Sequence, residues 1–344
     1  MAKTTTEGLQ ALKAALKEGR PANAYLFHGT EDYLRRYYLA ELEKRLIPAG
    51  REEFNLHRLE GRALTAVYLT ECVEAMPVMA ERTLIEVVDW DLFKLPEEQR
   101  EGLIALLKDL PDYCCLVFLY EHLEYKPNRT YKKLCAALEV VQVVEFGEQS
   151  QAELLKWMAK RLRAAGHTID APTGEYLLFL CGTRMSALIP ELEKISAFAS
   201  GERITREDID AVVEPLLETK VFSLTDAIAK GDFDRAASEL GTLLAMQEEP
   251  FMLLALLGKE LRRLYTARIA IESGRGQSWL MEQWGMRSDY PARLLLDNAR
   301  RVSTAWCQRG ILRCYELDVR MKSVSGVDAE GELISLLMDL GGER

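Results

Sequence analysis

The chain has 344 residues, with 44 basic and 54 acidic side chains and a formal net charge of -10 at pH 7. That length exceeds what one core ordinarily serves and points to two or three domains. The apolar (48%) and charged (28%) fractions fit a folded globular chain, and the net acidity argues against tight stand-alone DNA binding.

The N-terminal stretch MAKTTTEGLQALKAALKEG mixes Lys and Glu and lacks an apolar core, so it reads as neither a signal nor a transit peptide. The longest apolar runs, such as Val140–Val144, fall far short of the ~18 residues of a membrane span. A cytoplasmic protein is expected. Seven cysteines (Cys72, Cys114, Cys115, Cys135, Cys181, Cys307 and Cys314) form no C-x-x-C pair. Their odd number fits reduced thiols, and their apolar surroundings fit small buried hydrophobes rather than metal ligands.

In chain order, the first third alternates short apolar runs with helical patterns. The runs are Ala24–Phe27, Phe54–Leu59, Thr83–Val88, Cys115–Tyr120 and Val140–Phe146. Helical stretches lie near 32–46, 64–75, 97–110 and 129–138. Five strands alternating with four helices predict a parallel sheet covered on both faces. The alternation stops at Phe146, and Gly147-Glu148-Gln149-Ser150 forms a polar joint. Helical spacing follows from Ala152 to Gly166, through Glu175–Gly182 and over 186–199, and a capping motif stands at Thr205–Asp208. From about Val221 onward every pattern is helical, with glycines at 231, 274 and 326 separating several runs. The boundaries are therefore 1–146, 147–213 and 214–344. No segment is basic overall, although Arg287–Lys322 holds eight basic residues against four acidic ones.

The loop after the first strand stands where a P-loop would read G-x-x-x-x-G-K-[ST]. Here Gly29 is followed by Thr30-Glu31-Asp32-Tyr33, then Leu34 in place of the second Gly, Arg35 in place of Lys and Arg36 in place of the hydroxyl. Leu34 intrudes on phosphate space, and Glu31 and Asp32 put negative charge at an anion site. The same acids suit a helix N-terminus. The third strand runs into Val87-Val88-Asp89, an acid at a Walker B position that lacks Mg²⁺ partners and reads as a polar strand end. His28 and His122 both follow strands, at the face where α/β sheets hold ligands, with no nucleophile or metal partner evident. His57 and His167 suggest less, and neither G-x-S-x-G nor H-E-x-x-H occurs. No catalytic, cofactor or metal site is expected. Between a helix and the third strand lies Met76-Pro77-Val78-Met79. Flexible, unbranched Met suits a partner's groove, but from spacing alone packing on the domain's own core is the stronger reading.

Several motifs converge on one family. AYLFHGTEDYLRR, FNLHRLEG, ECVEAMPVMAERTLIEVVDWDLF, GTRMSALIPELEKISAFA, ITREDIDAVVEP and VFSLTDAIAKGDFDRAASELGTLLAMQEEPFMLLALLGKELRRL, in that order, resemble the delta subunit of the bacterial DNA polymerase III clamp loader. The resemblance spans nearly the whole chain and weakens after about Gly274. It implies an ATPase-inactive AAA+-like α/β domain I, a small helical lid domain II and an all-α collar domain III. It further implies a subunit without catalysis or cofactor that binds and opens the beta sliding clamp. Its partners would be the ATPase gamma/tau and delta prime subunits of a hetero-pentamer, and primer–template DNA. The family's Gly-x-x-Arg sensor is broken here: Gly182-Thr183-Arg184 puts Met185 at the Arg position. The family's hydrophobic wedge maps onto Pro77, Val78 and Met79 with Met76 beside them, which turns the reading of that loop towards clamp contact. A collar loop that touches DNA in some members maps near Lys322 and Ser323, with Arg313 and Arg320 on the same helix. Ser323 stands where an aromatic can occur. The competing readings are a stand-alone P-loop-like ATPase, disfavoured by the loop at Gly29–Arg36, and a DNA-binding regulator, disfavoured by the absence of a basic domain.

Overall fold

The computed structural model describes residues 5–286 and 288–342. Met1–Thr4 of the leader reading and Arg287, where the basic stretch begins, lie outside the described residues. The chain divides into two compact units: Met1–Gln149 with Arg184–Ser186, and Ser150–Thr183 with Ala187–Arg344.

In the first unit the strands are β1 (Ala24–His28), β2 (Leu56–Glu60), β3 (Thr83–Val88), β4 (Cys114–Leu119) and β5 (Gln142–Glu145). They form one parallel sheet in the order β2-β3-β4-β1-β5. Every residue of β3 and β4 is buried, as expected of strands covered on both faces. Alternation sorts their side chains. Leu26, Ile85, Val87, Leu116 and Phe118 join one core, and Tyr25, Phe27, Leu84, Val88 and Val117 join the other. The first core takes Leu69 and Val73 from α4 (Ala66–Glu74), Leu103 and Leu107 from α5 (Glu97–Lys108) and Leu134 from α6 (Lys132–Ala137). The second takes Leu12 from α1 (Thr5–Glu18) and Leu42 and Leu46 from α2 (Asp32–Leu46).

Differences from the sequence expectations have local causes. Helix α1 is not among the helices expected above, although Leu9, Leu12 and Leu16 recur at helical spacing; it packs on β5. A Cβ at Gly8 would lie 2.3 Å from the Val143 carbonyl oxygen, so only Gly admits the close approach. The strand expected from Phe54 begins at Leu56, because Glu52–Asn55 closes a single helical turn, α3. The helix expected from 64 starts at Ala66, with Thr65 accepting a hydrogen bond from the Tyr68 N–H. The stretch expected from 129 becomes helical at Lys132, because the Asn128 side chain holds the Thr130 N–H in a turn.

The second unit is helical: α7 (Gln151–Ala164), α8 (Ala171–Cys181), α9 (Met185–Phe198, whose first two residues belong to the first unit), α10 (Arg206–Val212), α11 (Leu217–Lys230), α12 (Phe233–Ala245), α13 (Pro250–Glu272), α14 (Gln277–Trp284), α15 (Asp289–Ala299), α16 (Thr304–Ser323) and α17 (Ala329–Gly342). Capping boxes start α7, with Ser150 and Glu153, and α10, with Thr205 and Asp208. Helix α13 is the centre of the bundle, giving Leu253, Leu257, Leu261 and Leu264 to the core and touching α11, α14, α15, α16 and α17. Inside, Asn298 donates to Asp226 at 2.9 Å, and the Trp306 indole N–H donates to the Leu340 carbonyl at 3.0 Å. Such paired polar groups avoid the cost of unsatisfied burial. Among the described residues no helix is long and apolar enough to cross a membrane.

Candidate functional site

The loop after β1 is filled by its own side chains. Gly29 adopts φ +118°, and a Cβ there would stand 2.3 Å from the Phe146 carbonyl oxygen. The Glu31 N–H donates to that same carbonyl at 2.9 Å. Glu31 is 3% exposed, its Oε2 accepts from the Met185 N–H, and its Oε1 has no partner. Burial pushes its pKa up. Arg35 is also buried and donates to the Gly29 carbonyl at 3.0 Å, so the cation at the Lys position is turned back onto the loop. The mouth beyond is lined by Asp32, Glu121, Glu124 and Glu145 against Arg35 and Arg184. Carboxylates inside and around an anion cradle repel an anion.

Asp89, at the end of β3, stands at φ +52°. Its carboxylate accepts from the N–H groups of Glu121 (2.9 Å), His122 (3.0 Å) and Leu123 (3.3 Å), and lies 2.8 Å from His122 Nδ1. Partial burial would raise its pKa, but these hydrogen bonds outweigh it and hold Asp89 below the usual carboxylate range. The acid at the Walker B position is thus a clasp for the loop after β4. His28 packs on the Tyr125 ring, and burial lowers its pKa. Among the described residues no group of three or more His, Cys, Asp or Glu could hold a metal ion.

The apolar loop between α4 and β3 has the opposite character. Met76, Val78 and Met79 are 71%, 45% and 73% exposed, and Pro77 is half-buried. Tyr68 and Val67 on α4 are exposed too. Met79 lines an open groove with Lys44, Ile47 and Pro48. Met79 takes φ +52°, a left-handed conformation that a side chain disfavours. Both ends of the loop are pinned. The Tyr113 hydroxyl donates to the Glu74 carbonyl at 3.1 Å. The Arg82 guanidinium donates to the Pro21 and Cys114 carbonyls and the Asn23 side chain at 2.7–2.9 Å.

In the second unit, the cations singled out on α16 are already paired. Arg313 binds Asp339 and Glu316, Arg320 lies 2.8 Å from Glu332, and Lys322 lies 2.7 Å from Asp318. Ser323 is the exposed last residue of the helix. Leu312, Tyr315 and Val319 on α16 and Met338 on α17 are exposed apolar side chains.

A family model described as DNA polymerase III, delta subunit, matches residues 25–144, and one described as DNA polymerase III delta subunit, C-terminal domain, matches residues 218–338. The chain belongs to the DNA polymerase III delta-subunit family. It is 24% identical over 320 residues to DNA polymerase III subunit delta of Bacillus subtilis, with 90% of each chain covered. Identity to the Escherichia coli subunit is 25% over 257 residues, covering 73% of this chain and 72% of that one. Among solved structures it is similar to the Bacillus subtilis DNA clamp loader delta protein, with a TM-score of 0.59, 22% identity, and 96% of this chain and 99% of that chain covered.

For this delta-family chain, Met76, Val78 and Met79 converge on one exposed loop, and Arg313, Arg320, Lys322 and Ser323 share one helix. Sequence reading missed the pins Tyr113 and Arg82, and it missed Asn55, whose buried side chain reaches Val78. No motif marks them, since the bonds by which they hold the loop span 23 or more residues. The Leu312, Tyr315 and Val319 face had a readable signal, apolar residues three and four apart on one helix.

Proposed function

We propose that this chain is the clamp-binding subunit of a replicative clamp loader, which docks Val78 and Met79 into the beta sliding clamp and helps open it without binding or hydrolysing ATP. The observation that carries the reading is the exposure of both anchors on a pinned loop. The filled phosphate loop supports its second half. Glu31 and Arg35 occupy the cradle, and the strand-end acid is engaged by three backbone N–H groups and His122. ATPase gamma/tau and delta prime subunits would then supply the energy in a cytoplasmic hetero-pentamer that acts on primer–template DNA. The chain itself would need no cofactor. On this reading 1–146 is the clamp-contacting domain, 147–213 the helical lid and 214–344 the collar that joins the pentamer.

DNA contact through Arg313, Arg320, Lys322 and Ser323 belongs to the same proposal in a weaker form. Each cation must trade an acidic partner for a phosphate, so the gain per contact is small.

The deciding experiment is a clamp pull-down with the wild-type chain and with Val78→Ala/Met79→Ala. Binding by the wild type and loss in a folded double variant supports the reading; equal binding rejects it. Equilibrium nucleotide binding tests the other half, and tight Mg·ATP binding with turnover would overturn it.

A further inference from the structure

Residues 75–82 form no helix or strand. Among the described residues, no backbone-to-backbone hydrogen bond outside helices and strands involves residues 76–81. Such a segment should sample many conformations. One residue in it is nevertheless gripped through both of its backbone polar groups. The Val78 N–H donates to Asn55 Oδ1 at 2.8 Å, and Asn55 Nδ2 donates to the Val78 carbonyl at 2.9 Å. The second Nδ2 proton direction is taken by the Arg51 carbonyl, also at 2.9 Å. Asn55 is fully buried at 0% exposure, at the end of α3 and the start of β2. Its carboxamide copies the pairing of a neighbouring strand, one donor and one acceptor against a single residue. Buried, it has no water to exchange with, so the grip holds.

The grip is on the first anchor, Val78, immediately before the second. It sets the plane of the Val78 backbone, and Met79 departs from it at φ +52°. A left-handed Met is sparsely populated in a free chain and persists only where its surroundings impose it. Tyr113 and Arg82 hold the loop's ends, and among the described residues Asn55 holds its middle.

We infer that Asn55 is a positioning residue for clamp recognition: it pre-organises Val78 and Met79 in the binding geometry before the clamp arrives. This rests on the clamp-contact reading of the loop. Without the grip the competent loop becomes a minor conformer, and apparent affinity falls by its population.

The test uses the full chain and the purified clamp. Asn55→Ala should keep the helical circular-dichroism signal and a cooperative melt while the Val78 amide loses its slow hydrogen exchange. Clamp affinity should fall about tenfold, mainly through slower association, with dissociation near wild type. A buried Asn with a merely structural role would lower the melting temperature and leave the binding rates of the folded fraction unchanged. Folded Asn55→Ala that binds within about twofold of wild type would overturn the inference. If that variant does not fold, exchange in the wild-type chain decides: the Val78 amide must exchange far more slowly than those of Met79 and Ala80, and equal rates overturn it. Val78→Ala/Met79→Ala keeps the backbone grip, so Val78 protection should persist there while clamp binding is lost. Clamp binding retained in that variant would reject the reading of the loop, while the exchange data would still report on Asn55.

Discussion

The loop after β1 and the loop before β3 sit at opposite edges of one parallel sheet and have opposite chemistry. The first lies at the carboxyl edge, where α/β sheets ordinarily hold ligands. There Glu31 and Arg35 are buried, and Arg35 closes onto the Gly29 carbonyl. The second lies at the amino edge, where Met76 and Met79 stand in solvent. Both are fixed by a buried polar side chain bonded to backbone, Arg35 to Gly29 and Asn55 to Val78. The difference is what each device leaves for a partner. One turns its polar groups inward and leaves an acidic mouth, whereas the other turns polar groups inward so that apolar ones face out. Both arrangements are compatible with one sheet, because the core between the two edges is the same either way.

The comparison can be broken most decisively at the anchors. Val78→Ala/Met79→Ala should weaken clamp binding by about 100-fold or more, as expected when central apolar hot spots are truncated. Stability should stay within about 0.5 kcal/mol, because both side chains are exposed; surface plasmon resonance and urea unfolding read the two numbers. Met79→Gly sharpens the point. Gly accepts φ +52° without strain, so stability should rise by up to about 1 kcal/mol while clamp affinity still falls about tenfold. A rise in both would mean that Met79 is not an anchor.

At the closed edge the expected effect is smaller and depends on pH. Burial raises the Glu31 pKa above its ordinary 4.5, so the native state binds that proton more tightly than the unfolded chain. Stability is therefore lost as pH rises from about 4.5 through the raised value, and the penalty is complete above it. Glu31→Gln removes the titration. Its stability relative to wild type should grow across that window and level off above it. Urea unfolding between pH 4.5 and 8 checks this, and a constant difference would place Glu31 in contact with water. The smallest effect is expected on α16. Lys322→Ala should change the slope of log affinity against log salt, for DNA binding by the assembled loader, by less than about one unit. A larger change would mean that Lys322 leaves Asp318 for phosphate.

Much of the first unit was legible from sequence. Runs such as Thr83–Val88 and Cys115–Tyr120 are apolar on both faces, which only a doubly covered strand satisfies. Helix α1 shows Leu9, Leu12 and Leu16 at helical spacing but not where that face packs, since its partner β5 lies more than a hundred residues away. The candidate site divided in the same way. Leu34, Arg35 and Arg36 announce a broken phosphate motif, because that motif depends on contiguous residues. The Val78–Met79 loop read locally as core, and nothing near it in sequence shows that Asn55, 23 residues earlier, takes up its backbone.

Composition, periodicity and contiguous motifs by themselves determined the sheet-then-helices architecture and the degenerate phosphate loop, and together with the family pattern they marked the Met76–Met79 segment. Tertiary structure decided which way side chains point. It turned Arg35 inward, Val78 and Met79 outward, Asp89 onto the Glu121–Leu123 backbone, and Arg313, Arg320 and Lys322 onto acids. The physical reason is that period and propensity act over one or two turns of chain. Exposure and hydrogen-bond partnership are set by residues that meet only after the sheet has brought distant strands together.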